Sequence, residues 1–150
     1  MRSTELDLTS AGATEALGAA IGRVLVLGDL ICLWGGLGAG KTTLARGLIR
    51  ALTTPDEEVP SPTFTLVQAY QAPGLALAHF DLYRLDRPQE VEELGLDEAI
   101  DEGAAIVEWP ERLGDRLPAD RLDVVLSIDG DGRRARLQPH GLWEGRTIDL

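Results

Sequence analysis

An α/β sandwich, with its sheet parallel at the centre and antiparallel hairpins added to it, is the fold class this sequence predicts. Three observations predict it. Apolar runs of strand length alternate with stretches of helical periodicity, the pattern of helices layered on a sheet. Two of the runs, LICLW at 30–34 and AAIVE at 104–108, are apolar almost throughout. Strands buried on both faces read that way, and a parallel sheet is built from such strands. Two further pairs of runs are joined by QAPG at 71–74 and DGDG at 129–132, turn sequences that return a chain antiparallel.

The elements follow in chain order. TELDL at 4–8 alternates like a short strand. Thr9 or Ser10 supplies the cap for a helix through ATEALGAAIGRVL, residues 13–25, with Leu17, Ala20, Ile21 and Val24 on its apolar side. DLICLW is the first buried strand and GGLGAGKTT the turn after it. LARGLIRAL at 44–52 is a helix with Leu44, Leu48, Ile49 and Leu52 along one side. TTPDEEVPSP at 53–62 is polar and Pro-rich, hence a loop. FTLVQAY at 64–70 and LALAHFD at 75–81 form a hairpin across QAPG. Residues 86–102 read as short helical pieces, with Pro88 suited to a first turn. After the AAIVE strand, WPERLGDRLPAD is a turn or short helix, and RLDVVLSI with RRARLQP makes a second hairpin across DGDG. The last ten residues, GLWEGRTIDL, carry no signal. With no repeat and no linker, one domain is expected over 1–150.

Composition narrows the function. A chain of 150 residues with 44% hydrophobic and 26% charged content is large enough for one substantial core. No run of 18 apolar residues is present, so no membrane span is expected. The N-terminus, MRSTELDLTS, carries acids where a signal peptide needs an apolar stretch. Cys32 is the only cysteine and lies in an apolar run, which suits a buried hydrophobe in a reducing, cytoplasmic setting. One Cys and two distant His do not make a zinc cluster. The net charge of −11 opposes direct binding to a nucleic-acid backbone and favours a protein partner.

Within that acidic chain Lys41 is the only lysine; the other thirteen basic residues are arginine. It completes Gly35-x-x-x-x-Gly40-Lys41-Thr42, the phosphate-loop pattern. The spacing has a chemical cause. Glycines let successive N–H groups of Gly36, Leu37, Gly38, Ala39 and Gly40 turn inward toward phosphate oxygens. The helix that starts near Thr42 and Thr43 adds its positive end. Lys41 brings a compact charge to the β- and γ-phosphates, which a planar guanidinium cannot do on so slender a stem. Thr42 offers a hydroxyl to Mg²⁺. The order strand, Gly-rich turn, helix is the setting this loop requires, so the fold class sharpens to a P-loop NTPase-like three-layer sandwich. Guanine-specific sites use an Asn-Lys-x-Asp element; the chain has no asparagine, and ATP is the expected nucleotide.

Ligands of open α/β sheets sit at the carboxyl ends of the strands. LALAHFD ends in Asp81 and AAIVE in Glu108. Asp81 is assigned to the metal, and Glu108 to the metal, the attacking water or the γ-phosphate. Alternatively each acid caps its strand end or pairs with a neighbour such as Arg84 or Arg112. In SPTF at 61–64, Thr63 is placed to complete the Mg²⁺ shell when a γ-phosphate is present, a switch-loop role. Trp109, beside Glu108, either packs the strand end or contacts nucleotide.

GLGAGKTT, SPTFTLVQAY, HFDLYRL, the ELGLDE region and IVEWPERLG, in this order and spacing, resemble the bacterial TsaE (YjeE) family over roughly residues 5–140. The resemblance implies Mg-ATP binding with slow hydrolysis. It implies a requirement in making threonylcarbamoyladenosine at adenosine 37 of tRNA, by supporting turnover of the TsaD–TsaB complex, so that tRNA is met only indirectly. Implied functional residues are Lys41, Thr42, Thr63, Asp81, Glu108 and Trp109. One departure stands out: the family reads G-D-L-G-A-G-K-T, and Gly36 occupies the place of that Asp.

Other features receive modest roles. Residues 86–102 hold eight acids against one arginine, a solvated face or a docking surface for a basic partner. Tyr83 and Arg84 are further candidates for a partner-facing patch. His79, internal to its strand, reads as structural; Arg133, Arg134 and Arg136 read as strand-edge charges. Alone, the chain is expected to be monomeric. The leading function is an ATPase with water as acceptor. The alternatives are a small-molecule kinase, with ERLGDRLPADR as an arginine-bearing lid, and a module that binds ATP without hydrolysing it.

Overall fold

The computed structural model describes residues 3–150, so Met1 and Arg2 of the expected domain and N-terminal stretch lie outside the described residues. β1 (Thr4–Leu8) leads to α1 (Ala11–Gly22), whose cap is Ser10: its Oγ accepts the Ala13 N–H at 3.1 Å. The helix begins two residues earlier than the periodicity predicts and stops at Gly22, after which Val24 and Leu25 bond back to Ile21 and Gly22 in tighter turns. β2 (Leu30–Trp34) runs into the glycine loop and α2 (Lys41–Leu52). β3 (Val67–Ala72) and β4 (Leu75–Asp81) form the first hairpin. A 3-10 turn at Pro88–Glu90 precedes α3 (Val91–Leu94) and α4 (Leu96–Glu102). Then come β5 (Gly103–Glu108), a 3-10 segment at Pro110–Arg116, the hairpin of β6 (Arg121–Asp129) and β7 (Gly132–His140), and a last 3-10 turn at Gly141–Gly145.

The strands form one sheet in the order β1-β7-β6-β2-β5-β4-β3. The central four, β6, β2, β5 and β4, are mutually parallel, and antiparallel partners flank them on both sides. One face buries Ile31, Leu33, Ile106, Leu122 and Val124 under Leu17 and Ile21 of α1 and Leu44, Leu48 and Ile49 of α2. The opposite face buries Leu30, Cys32, Phe80, Ala105 and Val107 under Leu82, Leu85, Val91, Leu96 and Leu113. Helices on both faces of a mixed sheet with a parallel core are the predicted three-layer sandwich. Burial pushes the Cys32 thiol far above its usual pKa, with Asp123 adding to the effect and Arg121 opposing it, so the residue is inert packing. No helix among the described residues is long and apolar enough to cross a membrane.

Where α1 meets α2 the backbones touch. A Cβ on Gly18 would stand 2.1 Å from Leu44 O, and one on Gly47 would stand 2.1 Å from Glu15 O. Three local outcomes differ from the sequence reading. The first hairpin pairs Gln71 with Ala76 and Ala72 with Leu75, so QAPG contracts to a turn on Pro73 and Gly74. DGDG contracts likewise to Gly130 and Asp131, because Asp129 pairs with Gly132. Phe64–Leu66, expected to begin a strand, instead close a turn: Leu66 N–H bonds Pro62 O at 2.7 Å, and Leu66 has φ 68°. The silent C-terminal stretch also has a role, since Trp143 inserts into the α1–α2 side of the core and is 1% exposed.

Candidate functional site

β2, β4 and β5 run parallel, so their carboxyl ends open onto the same edge of the sheet, and Asp81 and Glu108 are register partners there. A cleft of about 500 Å³ lies at this edge. Leu37, Gly38, Ala39, Gly40, Lys41, Thr42, Thr43, Thr63, Asp81, Glu108 and Trp109 line it, together with Leu8, Ser10, Ala11, Thr14, Asp131, Gly132 and Arg133. Gly36 is the one expected nucleotide-contact residue outside the lining; its carbonyl accepts the Ala39 N–H at 3.2 Å and closes the turn within the loop.

The loop needs glycine at its last position. Gly40 has φ 104°, a conformation L side chains rarely adopt, and it is the N-cap residue of α2 without a side-chain cap. A helix start left uncapped by any side chain has backbone amides available to an anion. Lys41, the first residue of α2, is 6% exposed. Its Nζ donates to Gly35 O at 2.5 Å and sits 3.3 Å from the centroid of the Trp109 ring. Burial lowers the Lys41 pKa below its ordinary value, while Glu108, Glu111 and Asp81 act in the opposite direction. Trp109 is placed for this contact by a left-handed backbone (φ 60°), a costly conformation for an aromatic residue and one that clusters at functional sites.

Both carboxylates are buried, Asp81 at 4% and Glu108 at 3% exposure. Thr42 Oγ1 donates to Glu108 at 3.1 Å from each carboxylate oxygen. His79 Nε2 stands 2.6 Å from Glu108 Oε2. Asp81 accepts from Tyr83 N–H on Oδ1 at 3.0 Å and from Thr63 Oγ1 on Oδ2 at 3.3 Å. The turn that carries Thr63 is tied to the same strand end, because Asp81 N–H bonds Leu66 O at 2.9 Å. Neither acid takes the alternative of pairing with Arg84 or Arg112: Arg84 lies over Phe64 and Arg112 over Tyr83.

Two buried carboxylates therefore face one ammonium, with a hydroxyl held against Glu108. Buried charge of that sign calls for a further cation. The donors are all oxygen, the set a hard divalent ion such as Mg²⁺ prefers, and Mg²⁺ takes one or two carboxylates with the remaining positions left to phosphate and water. The residues present thus fit Mg²⁺ together with a phosphate chain.

The sequence reading named the glycine loop, Thr63, Asp81, Glu108 and Trp109 of this lining, and did not assign Leu8, Ala11, Thr14, Asp131 or Arg133 to it. His79, read as structural, lies outside the lining and against Glu108; that contact was readable in principle, since His79 precedes Asp81 by two strand positions and shares its face. The place of Arg133, read as a strand-edge charge, was not: its Nε reaches Gly38 O at 3.0 Å only because the β6–β7 turn folds over the glycine loop. In residues 86–102 the acids are almost all exposed and line the outer surface of the short helices, and Glu92 pairs with Arg116.

The family model of the threonylcarbamoyl adenosine biosynthesis protein TsaE matches residues 8–136. The chain belongs to the TsaE family. A TsaE protein of Nostoc sp. is 40% identical over 142 residues, covering 91% of this chain and 86% of that one. One from Rickettsia bellii is 34% identical, covering 89% and 93% respectively. The crystal structure of Bacillus subtilis YdiB superposes with a TM-score of 0.80 at 29% identity, covering 95% of this chain and 90% of YdiB. The match to the TsaE family includes the glycine loop, the Thr63 turn and both carboxylate strand ends.

Proposed function

We propose that this TsaE-family chain is a Mg²⁺-dependent ATPase, slow on its own, that supports turnover of the TsaD–TsaB complex in forming threonylcarbamoyladenosine at adenosine 37 of tRNA. The observation that carries the reading is the convergence of Lys41, Thr42, Asp81 and Glu108 on one cleft at the strand ends. Amides of residues 36–40 and the start of α2 hold the phosphate chain. Lys41 leaves Gly35 O and the Trp109 ring to meet the β- and γ-phosphates. Thr42 and Asp81 would hold the metal, and Glu108 would serve it chiefly through its water shell. Mg²⁺, when bound, supplies charge neutralisation on the phosphate oxygens.

Glu108 orients the attacking water and draws off its proton as the oxygen bonds to the γ-phosphorus. The bond to the β-phosphate oxygen breaks, and ADP and phosphate result. Thr63, on a turn tethered to Asp81, joins the site when the γ-phosphate is in place. The nucleoside is held by the remaining lining residues, Ser10–Thr14 and Asp131–Arg133. The outward acids of residues 86–102 are the docking face for a basic partner surface.

The test is reconstitution of tRNA modification by purified TsaD–TsaB with and without this chain. Repeated rounds that require the chain and Mg-ATP are expected, with phosphate released in the absence of any metabolite. Turnover that waits for a metabolite acceptor would move the assignment to a kinase. ATP binding without phosphate release, alone or in the complex, would leave only a binding module.

A further inference from the structure

His79 is fully buried, and its two ring nitrogens differ in their surroundings. Nε2 lies 2.6 Å from Glu108 Oε2, while Nδ1 meets no hydrogen-bond partner. Strand geometry explains the meeting. His79 and Asp81 project from the same face of β4, and Glu108 projects from that face of β5. His79 pairs with Ile106 and Asp81 with Glu108, so the imidazole reaches Glu108 diagonally from one register step behind. Leu77, one further step back on that face, is already core beneath α1 and α2.

The surroundings fix the tautomer. A neutral imidazole carries one N–H. On Nδ1 that proton would be a buried donor without an acceptor, and the Nε2 lone pair would face a carboxylate. On Nε2 it makes a charge-assisted bond to Glu108, and only an acceptor nitrogen is left unpaired. Oε2 of Glu108 is therefore held by the ring, and the Thr42 hydroxyl bridges the two oxygens from the other side. Oε1 is the oxygen free of the imidazole.

We propose that His79 is a positioning residue for Glu108: its Nε2–H clamps Oε2, so that the carboxylate keeps one rotamer and Oε1 serves the water that attacks phosphate. This rests on the reading of Glu108 as the group that orients water. The ring lies outside the cleft lining and acts on turnover through Glu108.

Three variants separate positioning from packing. Glutamine carries its amide nitrogen as far from the backbone as Nε2, asparagine only as far as Nδ1, and leucine offers no donor. His79→Leu and His79→Asn are expected to lower kcat for phosphate release by about 10- to 100-fold, the range usual for such supporting partners, with KM little changed. His79→Gln is expected to recover most of the rate. Thermal unfolding of each variant reports the fold separately; rates that follow melting temperature, with Gln no better than Asn, would overturn the proposal.

A second readout needs no nucleotide. The chain has two histidines, so long-range ¹H–¹⁵N spectra of the free protein resolve both rings. The expected result for His79 is a protonated Nε2 and a bare Nδ1, with the Nε2–H resonance displaced by Glu108→Gln. A proton on Nδ1, or indifference to that substitution, would overturn the clamp. Wild-type protein that releases no phosphate would end the ATPase reading, whereas the imidazole resonance would still decide whether His79 holds Glu108.

Discussion

Lys41 is buried, and three features meet on it: the Gly35 carbonyl, the face of Trp109 and the carboxylates of Glu108, Asp81 and Glu111 within electrostatic reach. On the proposed function, ATP draws the ammonium off the indole and onto its phosphates. Trp109 fluorescence is expected to change on addition of Mg-ATP, and the change should vanish in Trp109→Phe, which leaves Trp34 and Trp143 as silent controls. An unaltered signal would mean that Lys41 keeps its present partners. Glu108 gives a second prediction. Glu108→Ala should leave ATP affinity nearly intact while lowering hydrolysis by about 10²- to 10⁴-fold, the usual weight of a general base. Collapse of binding would instead make Glu108 chiefly a metal ligand. That Lys41, Glu108 and Trp109 would meet at one cleft was legible in the chain, because the phosphate-loop pattern restricts both residue type and spacing and an acid closes each of two apolar strands. His79 was read only as structural for the opposite reason: a lone histidine inside a strand has no spacing signature, and its partner is contributed by another strand.

The two long helices illustrate how elements depend on contacts that periodicity does not describe. Apolar spacing located α1 and α2, yet it said nothing of Gly18 and Gly47, where each helix lies against the backbone of the other. Gly47→Ala improves intrinsic helix propensity but drives a methyl group into Glu15 O. Overpacking should win, lowering stability by about 1–3 kcal/mol, visible as a lower urea midpoint at unchanged slope. A higher midpoint would show that the helices part without cost. Strand existence was readable from composition, whereas strand ends were not. The first hairpin gains Gln71 and Ala72 and loses Phe64–Leu66, because the tether from Asp81 N–H to Leu66 O turns the chain where alternation alone would extend it. That tether places Thr63 beside Asp81, so the departure from regular strand lies at the site itself. Trp143 was illegible for a related reason: a short 3-10 turn has no period to detect, and only the completed core gives its ring a place.

Over the whole molecule, a net charge of −11 sets what can approach. Acids dominate the surface of residues 86–102, and Arg134 on β7 is engaged by Glu5, Asp7 and Asp129. A polyanion meets no continuous basic face there, so gel-shift with unmodified tRNA is expected to show no complex with the chain alone at physiological salt. A tight, salt-sensitive complex would contradict indirect action on tRNA. The three-layer fold and the order of its elements were readable because a parallel sheet demands doubly buried strands. The sheet order, which brings β7 and its Arg133 over the glycine loop, depends on long-range pairing that no local pattern encodes. The proposed activity requires the cleft to accept a metal-bound triphosphate through the loop amides and Lys41. Calorimetric titration with Mg-ATP, for wild type and Lys41→Ala side by side, tests this most directly. Heat of binding at a single site, abolished or severely weakened in the variant, is the result predicted; equal titration curves for the two proteins, or no heat from the folded wild type, would contradict it.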